Sequence, residues 1–268
     1  MRRTCRLIAI GIALAALGAC AIPKFSGPAS DTQGSNAPNG LRRAATALPS
    51  LGAHCRTAPD AERAQYIVGY GSLMQDESRK RTSPQAGPAH PVEIVGFRRG
   101  WFAKGSPIGF SATYLGVTPD PKGQLNAVIY RVEVSELAAT DRREAIYCRQ
   151  SVPLPDINML EAAPPQTTGA QAWIYVNEPE TMATPSARYP IVQSYVDIFL
   201  SGCFELERSF DLKGFARRCV QSTSDWSPQW VNDRLYPRRP FIYQPKARDI
   251  DTLLSEQLPE LFSSIRIE

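Results

Sequence analysis

The sequence predicts an α+β domain of about 200 residues, a mixed, barrel-like sheet with flanking helices. Two observations predict it. Short β-prone apolar runs crowd the first half of the folded part, and segments of helical period are added later. A third, a shift to Ser, Pro, Gly, Asn and Ala between Pro23 and about Asp60, separates this domain from the N-terminus.

Taken in order, Tyr66-Ile67-Val68-Gly69-Tyr70 is a buried strand that stops at a tight Gly71-Ser72 turn. Val92–Phe97 and Ala112–Val117 are further strands, and Asp120-Pro121-Lys122-Gly123 is a turn signal after the second. Ala127–Val134 then ends in the alternation of a half-buried strand. Ser135 is placed to cap a helix from Glu136 to about Tyr147, with Leu137, Asp141 and Glu144 on one face. The segment from Gln150 to Thr168 reads as a lid or linker, and Ala172–Val176 as a strand. Pro190 marks the first turn of another helix with Gly202 near its end, its apolar face carrying Ile191, Tyr195, Ile198 and Phe199. Ile250, Leu253, Leu254, Leu258 and Leu261 form an amphipathic stripe near the C-terminus.

The first residues have a different character. A basic head with Arg2, Arg3 and Arg6 precedes an apolar run from Leu7 to Leu17, then Leu17-Gly18-Ala19-Cys20. These are the parts of an export signal, and the run is too short to span about 30 Å of hydrocarbon permanently. Leu-Gly-Ala-Cys resembles the bacterial lipobox. The expectation is a signal peptide over 1–19, a lipid on Cys20, a flexible tether over 20–64 and a folded part over 65–268. Such a protein sits in the bacterial cell envelope, anchored to a membrane and facing the periplasm or another extracytoplasmic space.

Loss of the three signal arginines takes the formal charge from +4 to about +1, so nothing points to a nucleic-acid partner. The cluster Arg79-Lys80-Arg81 reads as a solvated face. Cys55, Cys148, Cys203 and Cys219 allow one or two disulfides in an oxidising compartment, with three full pairings open. No cysteine pair has metal spacing, and His54 and His90 are the only histidines, so neither a metal nor a Ser-His-Asp site is expected. No phosphate loop or dinucleotide fingerprint is present, so no cofactor is implied.

Two chemical features remain, about seventy residues apart: the strand-to-turn element Tyr70-Gly71-Ser72-Leu73 and the helix segment Asp141-Arg142-Arg143-Glu144 with Tyr147. Together they resemble the gamma-glutamylcyclotransferase superfamily, with Pro190-Ile191, Ser194-Tyr195 and Gly202-Cys203 as a third match in order. The resemblance covers Tyr66 to Glu207 and leaves an extension from about residue 208. It implies a metal-free enzyme that releases 5-oxoproline from small gamma-glutamyl compounds, the substrate's own amine being the nucleophile. Glu144 would be the general acid/base, its pKa raised by burial. Tyr70, Gly71, Ser72, Leu73 and Tyr195 would bind and orient the substrate, with Asp141 and the two arginines in supporting places. Trp226, Trp230 and Asn232-Asp233-Arg234 lie outside the resemblance and read as packing around the domain, or as shaping an acceptor-side pocket. The rival class is a non-catalytic envelope lipoprotein that uses the same fold to bind a ligand or a protein.

Overall fold

The computed structural model describes residues 54–105, 111–239 and 246–268, all within one compact unit. The export signal, Cys20 and the tether up to residue 53 lie outside the described residues.

Ten strands form one mixed sheet. Its centre is β1 (Gln65–Gly69), antiparallel to β3 (Thr113–Val132) and parallel to β6 (Gln171–Val176), which pairs in turn with β4 (Cys148–Val152). A long hairpin joins β3 to β2 (His90–Lys104), and β5 (Ile157–Met159) adds to the far side of β2. Beyond β3 lie β7 (Ile191–Val192), β9 (Trp230–Asn232) and β10 (Arg266–Ile267), while β8 (Thr223–Ser224) pairs with β2. The sheet does not close on itself among the described residues, so the architecture is α+β with an open mixed sheet.

The helices are α1 (Asp76–Lys80), α2 (Val134–Arg143), α3 (Gln193–Ser209), α4 (Phe215–Gln221), α5 (Ala247–Gln257) and α6 (Pro259–Ser263). None of the helices among the described residues is long and apolar enough to cross a membrane. Strand alternation sorts the core into two layers. Ile67, Val128, Tyr130 and Trp173 join Phe199, Phe215 and Leu254 of the helices, whereas Tyr66, Val68, Ala127, Ile129 and Ile174 pack on the other face. Both faces are covered, which is why every residue of β1 is buried.

Several expectations are corrected. Asp120–Gly123 does not end a strand: it loops out of β3 opposite Gly96, between the pairs Phe97↔Pro119 and Val95↔Gln124. The turn chemistry is real, since the Lys122 amide donates to Asp120 Oδ1 at 3.0 Å, but the ladder resumes beyond it as in a bulge. Glu133, not Ser135, caps α2, through a reciprocal capping box with Glu136, and the helix stops at Arg143. Pro190 does not open α3: the Ile191–Val192 strand pair intervenes, placing Gly202 inside the helix. The segment from Gln150 begins as sheet, the end of β4 and then β5, before irregular backbone from residue 160 to 168. Arg79 is buried, not a solvated charge, and donates to the Leu73 and Met74 carbonyls.

The cysteines pair as Cys55–Cys148 and Cys203–Cys219. The first pair fastens residues from Cys55 onward, inside the segment read as tether, to β4. The Arg56 amide adds a hydrogen bond to the Arg149 carbonyl at 2.9 Å.

Candidate active site

The turn after β1 is fixed at both ends by buried arginines. Arg99 donates to the Tyr70 carbonyl at 3.0 Å from one side, and Arg79 holds the Leu73 carbonyl at 3.1 Å from the other. Between them Gly71 leads into a single 3₁₀ turn, Ser72–Met74, closed by the Met74 amide on the Gly71 carbonyl at 2.9 Å. The leading amides of such a turn have no intrahelical acceptor; the Ser72 amide bonds the Tyr195 hydroxyl instead, so an oxyanion or carboxylate received by the Gly71–Leu73 backbone would share or replace that partner. A Cβ on Gly71 would lie 2.8 Å from the Tyr195 hydroxyl, so a side chain there would push Tyr195 off the turn.

Opposite the turn stands Glu144, at the C-terminal end of α2. Its backbone is braced: its amide donates to the Thr140 carbonyl at 2.8 Å, and its carbonyl accepts from the Tyr147 amide at 3.0 Å and from Arg56 at 3.1 Å. The adjacent Cys55–Cys148 disulfide locks the two chains that carry Arg56 and this turn. The Glu144 side chain is only 15% exposed and pairs with Arg143 Nε at 3.2 Å. Arg143 also donates to Ser72 Oγ at 3.1 Å, so one guanidinium ties the acid to the turn it faces. Burial raises the Glu144 pKa above the ordinary carboxylate value, while the charges of Arg143 and Arg239 pull it back down.

Tyr195, near the start of α3, completes the constellation. Its ring lies tilted against Tyr114 at 5.0 Å and edge-on to Trp101 at 5.9 Å. Burial, with a contribution from Glu144, pushes its hydroxyl up to about 12, against the pull of Arg239 and of hydrogen bonding from Ser72. The cleft is lined by Tyr70, Gly71, Ser72, Leu73, Glu144 and Tyr195 together with Val68, Leu115, Tyr147 and Tyr175. Its volume is about 30 Å³, room for a water molecule or two.

All six residues singled out on sequence for catalysis and binding therefore border one cleft. The last four lining residues escaped the sequence reading. Tyr147 was noted only as part of the Asp-x-x-Glu context, and it donates to the Leu115 carbonyl at 3.0 Å. Tyr175 donates to Asp141 Oδ1 at 2.8 Å, and Tyr70 to the Tyr175 carbonyl at 2.5 Å. Three of the four lining tyrosines thus have their phenol protons committed to fixed protein acceptors, which rigidifies the walls. Asp141 is a buttress: its carboxylate is occupied by Arg149 at 2.9 Å and by Tyr175. Trp226 and Trp230 stack at 5.1 Å, and Trp226 abuts Trp101, so they back the wall that carries Tyr195.

Neither histidine lines the cleft: His90 pairs with Glu161 at 2.5 Å and His54 with Glu178 at 3.3 Å. His54, Glu178, Cys55 and Cys148 do converge, but both sulfurs are consumed in the disulfide.

No family model matches this chain, and no curated relative matches it. Among solved structures it is similar to a gamma-glutamyl cyclotransferase, at 12% identity and a TM-score of 0.45 over 72% of this chain and 99% of that one. It is also similar to an uncharacterized protein from Homo sapiens, at 13% identity and a TM-score of 0.44 over 62% and 92% of the two chains. A yeast gamma-glutamyl cyclotransferase specific to glutathione is similar at 13% identity and a TM-score of 0.36, over 60% and 97%.

Proposed function

We propose that this protein is a gamma-glutamylcyclotransferase-type enzyme that releases 5-oxoproline from small gamma-glutamyl compounds. One observation carries the reading: a largely buried glutamate of raised pKa, Glu144, faces the Gly71–Leu73 turn and is tied to it through Arg143. In this reaction the substrate's α-amino nitrogen attacks its own γ-carbonyl carbon. The five-membered ring closes, the γ C–N bond breaks, and the protons shed by the attacking nitrogen end on the departing amine. The protein therefore supplies proton transfer and orientation but no nucleophile. Glu144 takes the proton from the amine and returns one to the leaving nitrogen, work to which a carboxylate with a raised pKa is better matched near neutrality than an exposed one. The Gly71–Leu73 amides receive the charge that develops on the carbonyl oxygen, and Tyr195 presses the substrate against them. Ring closure from a held pose removes much of the entropic barrier.

In this account a lipid on Cys20 holds the domain at the extracytoplasmic face of a membrane, so its substrates are exported or environmental gamma-glutamyl compounds. Cys20→Ser should move the protein from the membrane fraction to the soluble one. The activity is tested by incubating the purified domain with glutathione, gamma-glutamyl dipeptides and gamma-glutamylamines and measuring 5-oxoproline. Absence of product across the panel would leave the binding-module reading in its place.

A further inference from the structure

A cation from outside the turn and α2 lies against Tyr195, one wall of the cleft. Arg239 belongs to the segment after β9, in the C-terminal extension. Its guanidinium lies over the Tyr114 ring at 4.9 Å and over the Tyr195 ring at 6.0 Å. The loop that delivers it is fastened to the N-terminus of α3. Asp233 accepts from the Ser194 amide, the Ser194 hydroxyl and the Arg238 amide, each at 2.7 Å, and the Arg239 amide donates to Ser194 Oγ at 3.2 Å. Asp233 is itself buried, so the loop and the start of α3 form one unit with Tyr195 between the turn and Arg239.

No hydrogen bond or ion pair among the described residues takes up the Arg239 charge, although its field acts on Glu144. Arg238 binds the Ser111 carbonyl at 2.7 Å and Arg234 holds Asp197 and Asp251, whereas the Arg239 guanidinium has neither a hydrogen-bond nor an ion-pair partner among the described residues. Its stacking on two tyrosines is worth only about 0.5–1 kcal/mol at such a rim. A charge-assisted, two-pronged hydrogen bond to a carboxylate is stronger and would draw it off the rings, widening a cleft that at rest holds little more than water.

We infer that Arg239 binds a carboxylate on the leaving amine, making gamma-glutamyl amino acids and peptides, not gamma-glutamylamines, the substrate class of this site. This rests on the proposed reaction. The geometry says which carboxylate is meant. The turn and Glu144 take the end of the substrate where the ring closes, and the Tyr195 ring stands between that end and Arg239. A carboxylate that meets Arg239 therefore belongs to the outer half, which departs. Because the same cation pulls the Glu144 pKa down, pairing it with a substrate carboxylate would also leave Glu144 a stronger base once substrate is in place.

The test compares gamma-glutamyl-alanine with gamma-glutamyl-ethylamine, the same molecule without the leaving-group carboxylate, on the parent protein and on Arg239→Met and Arg239→Lys. The parent should prefer the alanine compound about 10- to 100-fold in kcat/KM, chiefly through KM. Arg239→Met should bring that ratio near one, and Arg239→Lys should restore part of it. A parent ratio near one, or a ratio that survives Arg239→Met, overturns the assignment while leaving the reaction standing. No 5-oxoproline from either compound with the parent protein overturns the reaction, and this inference with it.

Discussion

Replacing Gly202 by alanine sets two opposed effects against each other, and the contact distances decide between them. In an exposed helix the change would stabilise, by up to about 1 kcal/mol of helix propensity. Gly202, however, is where α3 crosses the turn that carries Gly71, Ser72 and Leu73. An added Cβ would lie 2.5 Å from the Gln75 amide nitrogen and 2.6 Å from the Met74 carbonyl carbon, both backbone atoms that no rotamer change can move aside. Restoring ordinary contact at 3.4 Å means separating helix and turn by about 0.9 Å. Overpacking of this kind costs about 1–3 kcal/mol, so the net expectation is a loss of about 1 kcal/mol, or about 2–4 °C in Tm for a domain of this size. The functional cost should be larger. The helix carries Tyr195 and the turn carries the amides it faces, and a misplacement near 1 Å can lower a rate by about 100-fold. Thermal unfolding and 5-oxoproline kinetics on Gly202→Ala therefore form one experiment, with Gly87→Ala as control, where a Cβ meets nothing nearer than 3.6 Å. A Gly202→Ala protein with raised Tm and full activity would refute the close-approach argument.

Three further expectations follow from the site and its bracing. Arg143 is the strongest downward pull on the Glu144 pKa, so Arg143→Met should move the acid limb of the kcat/KM–pH profile to higher pH as well as lowering the plateau; an unmoved limb would separate Arg143 from the titrating group. The raised pKa means the folded state holds the Glu144 proton more tightly than the unfolded chain, so stability falls as pH rises from about 4.3 through the folded value and stays lower above it. Glu144→Gln should accordingly raise Tm relative to the parent at pH 8, with the gain shrinking as pH falls through the folded value and gone by about pH 4; equal Tm differences at pH 8 and pH 4 would contradict burial as the cause. For the disulfides, sequence separations of 93 and 16 correspond to about 4.6 and about 3 kcal/mol of loop-closure stabilisation, so denaturant titrations should find Cys55→Ser/Cys148→Ser the more damaging pair. Only that pair should also depress activity through the Arg56 brace on Glu144.

The parts of the site readable in the sequence are those written in local chemistry. A buried strand running into Gly71-Ser72 needs only β-propensity and a turn residue to be recognised, and Glu144 stands out because it shares a helical face with Leu137 and Asp141, although the helix itself ends at Arg143. What escaped depends on pairings that local signals do not contain. Asp120–Gly123 has the composition of a hairpin turn, yet β2 continues opposite it, so the ladder absorbs the loop as a bulge. Ser135 is the better N-cap residue by type, but Glu133 wins because Glu136 reciprocates one turn later. Tyr175 and Leu115 enter the cleft through sheet register, and Arg239 meets the Tyr195 ring through a loop anchored by Asp233 on Ser194, 39 positions earlier in the chain. The positions of Arg79 and Arg99 are the plainest case: a basic residue reads as surface until the backbone carbonyls it must satisfy are placed around it.

The central claim is that Glu144 moves the proton in ring closure. Single-turnover release of 5-oxoproline from gamma-glutamyl-alanine, followed with the parent and with Glu144→Gln at a temperature where both are folded, tests it most directly. The account predicts release by the parent and a loss of about 10²- to 10⁴-fold in Glu144→Gln. Undiminished release by Glu144→Gln would contradict it.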